Sequence, residues 1–321
     1  RLSRKEQIFL FLNRRGTARF VFCPDCGYVL ECAHCSVTLT FHSTEDRLLC
    51  HYCNFKARMP AQCVECSGKV IRFSGFGTQK LEEEVRKLFP DAQVTRLDRD
   101  TTRGRDSFTD MHRNMKAGKI DILIGTQMIT KGHDFPNVTL VGVVHADLSL
   151  NIPDFRSCER AFQLLTQVAG RAGRGEVPGK VIIQTNNPDH YMFEFVREHD
   201  VNSFHEKELK LRRQLNYPPF TRLVAIEIVS ENESLGKSTA EKLGRLLVRQ
   251  ASQQKSVEIL GPSKAALYQI QNKFRWHLIL RGQSMQALQG ILANNSELHE
   301  LKSASSGKVK LSIDVDPFNL L

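Results

Sequence analysis

IDILIGTQMITKGHDFPNVTLVGVVHA, residues Ile120–Ala146, is the stretch on which the fold turns. It holds two apolar runs, Ile120–Gly125 and Val138–Ala146, on either side of a polar, glycine-bearing segment. A short run that is apolar at nearly every position, bounded by turn residues, reads as a strand buried on both faces. Working outward, Asp106–Ala117 reads as a helix before the first run and Ser157–Gly170 as a helix after the second. Further strands are expected at Gln7–Leu12, Lys69–Phe73, Gln93–Leu97 and Lys180–Thr185, with a helix at Thr78–Leu88 carrying Leu81, Val85 and Leu88 on one face. Strands alternating with helices predict an α/β fold with a parallel, doubly wound sheet. In such folds ligands bind at loops beyond the carboxyl ends of the strands.

The second half has a different rhythm. Helical stretches at Tyr191–Glu198 and Phe204–Leu215 lead to NYPPF at Asn216–Phe220, where the paired prolines stop any helix and suggest a domain boundary. Beyond it the order is β-α-β-β-α-β: a strand at Arg222–Val229, a helix near 234–252, a short strand at Val257–Leu260, a strand through Phe274–Arg281, a helix near 284–294 and a last strand from Val309 to Val315. That order predicts an α+β domain of split β-α-β, ferredoxin-like form. Lys273, Arg275, His277 and Arg281 alternate with Phe274 and Trp276, giving one polar strand face that either contacts DNA or meets solvent.

The 321 residues include 45 basic and 35 acidic ones, a formal charge of +10, which favours a polyanionic partner such as nucleic acid. No apolar run approaches the roughly 18 residues of a membrane span, and Arg1 opens no secretory signal pattern. Eight of nine cysteines form four CxxC pairs, Cys23/Cys26, Cys32/Cys35, Cys50/Cys53 and Cys63/Cys66. Each CxxC turn offers two thiolates to a tetrahedral zinc, and a second turn completes the site, so eight sulfurs imply two structural Zn2+ sites in a reducing compartment. Five residues separate Cys26 from Cys32 and fourteen separate Cys35 from Cys50. The spacing favours nesting, with Cys32/Cys35/Cys50/Cys53 on one ion and Cys23/Cys26/Cys63/Cys66 on the other, and leaves a crossed pairing open. Sites with four thiolates have no open position, which argues against a zinc hydrolase. His34, His42 and His51 are then bystanders, and Cys158 reads as a small core residue.

QVAGRAGRG at Gln167–Gly175 sets Arg171 and Arg174 among small residues. On a continuing helix Gln167, Arg171 and Arg174 would share a face, poised for bidentate phosphate contact. A solvated basic helix end, favoured by the helix dipole, is an equal reading of the same residues. Gly236-Lys237-Ser238 imitates the end of a phosphate-binding loop, but Glu231 stands where the first glycine belongs. There is no DExx box either, so the arginines lack a partner within the chain.

GTQMITKGHDFPNVTLV at Gly125–Val141, DFRSCERAFQLLTQVAGRAGRG at Asp154–Gly175 and the CxxC array together resemble the PriA family of bacterial replication-restart helicases, within superfamily 2. The resemblance extends to FLNRRG at Phe11–Gly16, GFGTQKLEEEV at Gly75–Val85, LDRDTT at Leu97–Thr102 and DVDPF at Asp314–Phe318. It implies a second RecA-like helicase lobe over 1–218, interrupted by a zinc-binding insertion at 22–68, and a C-terminal α+β domain over 219–321. The Walker A and B lobe would precede Arg1. The family pattern implies an arginine finger at Arg171 and Arg174 with Gln167 opening the motif, and nucleotide-side roles for Gly132 and Asp134. It places DNA contacts at Thr126, Gln127 and Lys131, with Arg14 and Arg15 in the NRRG turn as further phosphate contacts. ATP and Mg2+ would serve the complete protein. The implied activity is ATP-dependent 3′→5′ unwinding that starts primosome assembly at abandoned forks. Implied partners are forked and single-stranded DNA, single-stranded DNA-binding protein, and primosome and helicase-loader proteins, in the bacterial cytoplasm at the nucleoid. The alternative is a non-enzymatic, zinc-scaffolded docking module for DNA or protein.

Overall fold

The computed structural model describes residues 1–12, 21–35, 37–42, 46–68, 72–73, 78–97, 105–126, 135–173, 177–252, 256–293 and 308–320. Strand β1 (Gln7–Leu12) opens the fold and is followed by the cysteine-rich insertion with β2 (Val21–Phe22), β3 (Thr40–His42), β4 (Arg47–Leu49), β5 (Lys56–Ala57) and β6 (Arg72–Phe73). The chain then runs α1 (Thr78–Leu88), β7 (Val94–Leu97), α2 (Arg105–Lys116), β8 (Ile122–Gly125), β9 (Val138–Val144), α3 (Asp147–Leu150), α4 (Ser157–Ala169) and β10 (Lys180–Ile183). Five of these strands form one parallel sheet in the order β10-β9-β1-β8-β7. The two runs at Ile120–Ala146 become β8 and β9, which flank β1 on either side.

Burial explains why β1 is central. Phe9 and Phe11 face Met115 of α2 and Phe162 and Leu165 of α4, while Ile8 and Leu12 face Leu81 and Val85 of α1. Helices therefore cover both faces, as the unbroken apolar runs require. Gln7, buried at the start of β1, donates from Nε2 to the carbonyls of Met115 (2.9 Å) and Ile120 (2.7 Å), so its amide is satisfied. The expected strand at Lys69–Phe73 differs. Its described part, β6, stays outside the parallel sheet and pairs antiparallel with β2, Val21 beside Phe73, tying the ends of the insertion together.

After α5 (Tyr191–Glu198) and α6 (Val201–Gln214) come β11 (Arg222–Ser230), α7 (Glu233–Ala251), β12 (Val257–Ile270), β13 (Lys273–Gly282), α8 (Met285–Ala293) and β14 (Val309–Val315). Their sheet is antiparallel in the order β12-β13-β11-β14, the ferredoxin-like arrangement. β12 runs ten residues beyond the expected Leu260. Gly261 (φ 96°) and Pro262 read as a strand end, but the register shifts there and pairing resumes at Ser263. β12 is an edge strand, where a proline without an N–H is tolerated. One face of the sheet packs Val224, Ile226, Leu278 and Leu280 against Leu243 and Leu247 of α7 and Leu288 of α8. A Cβ on Gly236 would stand 2.4 Å from the Trp276 ring. That glycine serves helix–sheet packing, in keeping with the rejection of Gly236-Lys237-Ser238 as a phosphate loop.

Leu278 is fully buried beside Trp276, the only tryptophan. Leu278→Ala should cost about 2–5 kcal/mol, read as an earlier urea midpoint in the tryptophan fluorescence transition.

Candidate metal centres and the arginine turn

Three of the CxxC pairs sit on turns built to one plan. Cys23, Cys50 and Cys63 each accept at their carbonyl from the amide four residues on, in Gly27 (2.9 Å), Asn54 (3.0 Å) and Ser67 (2.9 Å). Those three residues have φ of 74°, 64° and 60°. The left-handed conformation suits glycine and asparagine best, a signal already visible in CPDCG and CHYCN.

The sulfurs gather into two groups, Cys23, Cys26, Cys63 and Cys66, and Cys32, Cys35, Cys50 and Cys53, with all ligand atoms of a group within 4.8 Å of one another. This is the nested arrangement. Sulfur pairs lie 3.7 Å apart for Cys23 and Cys66, 3.6 Å for Cys26 and Cys63, and 3.6 Å for Cys32 and Cys53. A disulfide would need about 2.05 Å. Four thiolates at about 2.3 Å from one zinc stand roughly 3.8 Å apart, so the donor sets fit tetrahedral zinc. Among the described residues no histidine joins either group. His34 lies edge-on to Phe55, and the Nδ1 of His51 donates to the Lys264 carbonyl at 2.6 Å.

That last contact leads to what sequence reasoning missed. On the strand face carrying Lys273, Arg275, His277 and Arg281, Lys273 is exposed and Arg275 and Arg281 are half-buried, while the part around His277 and Ile279 is buried. The cysteine module covers it. Leu223, Leu260 and Ile279 join Cys32, Cys35, Leu48 and Tyr52 in one buried cluster. His277 Nε2 and Ser263 Oγ both donate to the His51 carbonyl, and the Tyr217 hydroxyl donates to the Cys35 carbonyl at 2.8 Å. Arg275 is held by Glu227 (2.6 Å), Arg281 by Glu258 (3.0 Å) and Lys273 by Glu231 (3.6 Å). Alternation identified the polar face, but the cover lies more than two hundred residues away in sequence, beyond the reach of any local pattern.

The module also rests on the parallel-sheet lobe. A Cβ on Gly27 would fall 2.1 Å from the Asn186 carbonyl oxygen, and the Phe155 amide donates to the Tyr52 hydroxyl at 3.2 Å. Buried Asp147 fixes that seat by accepting from Thr185 Oγ1 (2.8 Å) and the Asn186 amide (3.1 Å). Cys158 stands 3.1 Å from the Tyr191 hydroxyl, and burial pushes its thiol up to about 12, so it stays protonated and unreactive.

The arginine turn departs from the expected helix. α4 ends at Ala169, Arg171 N bonds back to the Val168 carbonyl (3.0 Å), and Gly173 takes φ 71°. Gly173 N then reaches the Val138 carbonyl at 3.1 Å, and a Cβ on Gly173 would meet Gly179 N at 2.2 Å. Arg171 therefore lies beyond the end of the helix that carries Gln167 and shares no helical face with it; Gly170 caps that helix. Gln167 is exposed and Arg171 half-buried. The turn lies at the start of β9, whereas half-buried Thr126 follows β8 at its carboxyl end. Opposite ends of these strands are about 20 Å apart, so of the described candidates Thr126 lies beyond a strand's carboxyl end and Arg171 does not. Arg14, Arg15, Gln127, Lys131, Gly132, Asp134 and Arg174 lie outside the described residues.

Three family models match this chain: the primosomal protein N C-terminal domain over 213–318, the PriA DNA helicase Cys-rich region over 32–58, and the helicase conserved C-terminal domain over 47–176. The replication restart protein PriA of Bacillus subtilis is 43% identical over 320 residues, covering all of this chain and 39% of its own length. Its counterpart from Synechocystis is 42% identical over 99% of this chain and 38% of its own, and that from Haemophilus influenzae 37% over 99% and 43%. The chain matches a C-terminal part of the PriA family. It spans about two fifths of the length of these PriA relatives. The helicase domain of Pyrococcus furiosus Hef aligns over 61% of this chain at 15% identity with a TM-score of 0.28, a likeness that carries no argument. The Cys-rich region of PriA takes in the whole inner group, Cys32 to Cys53, which supports zinc there.

Metal analysis of the purified chain should return about two zincs, and Cys35→Ser should lower the count to one. Burial holds the His277 imidazole below its usual 6.5, with Glu227 and Arg275 as its charged neighbours. The unfolded chain then binds a proton that the folded one refuses. His277's contribution is complete above about pH 6.5 and is lost as the pH falls toward the lowered folded value. His277→Gln, which keeps an N–H donor, should flatten this part of the melting-temperature profile.

Proposed function

We propose that this chain is the C-terminal motor half of an ATP-dependent 3′→5′ DNA helicase that acts at stalled or abandoned replication forks and starts primosome assembly. The match of 47–176 to a helicase C-terminal domain, in the same chain as a PriA Cys-rich region, carries the reading. Residues 1–218, interrupted by 22–68, would act as the second lobe, and 219–321 as the C-terminal domain. Gly236-Lys237-Ser238 offers no phosphate cradle, since the space beside Gly236 is taken by the Trp276 ring. The chain's own contribution to ATP would therefore be a trans contact. ATP hydrolysis would supply the free energy, with Mg2+ neutralising the phosphates.

In that arrangement Arg171 and Arg174 would stabilise charge on the γ-phosphate, and Gln167 would open their motif. The half-burial of Arg171 beside the Gly173–Val138 anchor would limit its mobility in such a role. Gly132 and Asp134 would sit on the nucleotide side, and Thr126, Gln127, Lys131, Arg14 and Arg15 would hold DNA phosphates in a sequence-independent, salt-sensitive way. Single-stranded DNA-binding protein, primosome components and a helicase loader are proposed as protein partners, in the bacterial cytoplasm at the nucleoid. Among the described residues no helix is long and apolar enough to cross a membrane. The close docking of the cysteine module on the C-terminal sheet gives a second reading some force, that of a zinc-scaffolded docking module.

The isolated chain should show no DNA-stimulated ATP hydrolysis, and hydrolysis by it would overturn the trans-finger reading. In the complete protein, Arg174→Ala should abolish turnover and leave fork binding in gel-shift titration within about twofold, since phosphate contacts elsewhere dominate DNA affinity. Retained turnover would remove the finger role.

A further inference from the structure

Two metal centres of the same chemistry occupy very different surroundings. In the outer group Cys23 and Cys63 are buried, but Cys66 is exposed and Cys26 half-buried, and Gly27, beside Cys26, packs against Asn186. In the inner group Cys32 is 1% and Cys50 0% exposed, and the centre lies beneath the C-terminal sheet. The inner turns are also where the docking contacts arise. His51, directly after Cys50, offers the carbonyl that accepts from His277 and Ser263, and its ring donates to the Lys264 carbonyl. The carbonyl of Cys35 itself accepts from Tyr217. Tyr52, between Cys50 and Cys53, is buried and receives the Phe155 amide from the parallel-sheet lobe.

We propose that the zinc held by Cys32, Cys35, Cys50 and Cys53 is the fastener of the C-terminal domain: its release undocks the outer face of the β12-β13-β11 sheet, whereas release from the outer group leaves that face covered. The inference rests on reading both groups as zinc sites. Its physical basis is that two turns carrying carbonyl acceptors must hold fixed positions to meet Tyr217, Ser263 and His277 together. Between Cys32 and Cys53 the described strands, β3 and β4, are three residues long each, so the cross-link through the metal sets that geometry. Once the turns part, Leu223, Leu260 and Ile279 lose their cover, and the donors of His277 and Ser263 lose a shared acceptor inside a low-dielectric interface. The coupling is reciprocal. Docking excludes water and chelators from the inner thiolates, so the domain that the metal fastens also retains the metal.

The test uses the zinc-loaded chain, with its metal counted at the start. Zinc is withdrawn by a graded chelator, release is followed by a chromogenic indicator, and amide hydrogen exchange is measured at each stage. Two release steps are expected. The first should leave exchange in β13 and β11 unchanged, and the second should raise it about tenfold or more, as local protection is lost. Cys66→Ser should preserve protection of β13 and Cys53→Ser should remove it. Because Cys53→Ser could unfold the module outright, Ser263→Ala keeps all eight cysteines and should speed only the second release step. The proposal fails if β13 opens with the first zinc, if the second zinc leaves with protection intact, or if Ser263→Ala leaves both steps unchanged. A starting count of no zinc would instead sink the metal reading itself.

Discussion

The C-terminal sheet buries apolar residues on both faces, Leu278 and Leu280 on one and Leu223, Leu260 and Ile279 on the other, where Arg275, His277 and Arg281 stand among them, and such residues need cover from water. Its inner face is closed by α7 and α8 and its outer face by the cysteine module. That second closure organises the molecule. It brings residues near position 50 into contact with residues near 220, 263 and 277, and it leaves the cysteine module wedged between two sheets.

The parallel sheet was largely legible. Ile120–Gly125 and Val138–Ala146 have no polar side that could face water, so they had to be central strands, and they flank β1. The cysteine spacing likewise favoured the nested sulfur groups, because five residues cannot easily fold two turns around one ion. The ferredoxin-like order followed from alternation in β11, β13 and β14. Each of these readings rests on a local pattern with a single physical meaning.

Failures occurred where a residue had two meanings. Gly261 and Pro262 punctuate a strand in most contexts, yet on an edge strand they only shift its register. Gly170 and Gly173 set Arg171 among small residues and also end the helix. His277 and Arg275 looked like a wet face because nothing nearby in sequence announced the cover. Long-range docking between polar backbone acceptors and buried donors leaves no periodic trace.

β1 is made first but sits in the middle of its sheet, so it waits for β8 and β9 from more than a hundred residues downstream. Such distant pairing is slow, and it leaves a fully apolar strand unpaired in the meantime. The β2–β6 clasp shortens that wait. By joining Val21 to Phe73 it removes the insertion from the loop that must close between β1 and β8, roughly halving its length. The entropy saved is only about 0.6 kcal/mol. The larger effect is one of sequence in time: a nascent chain can complete its cysteine module before the sheet that surrounds it exists.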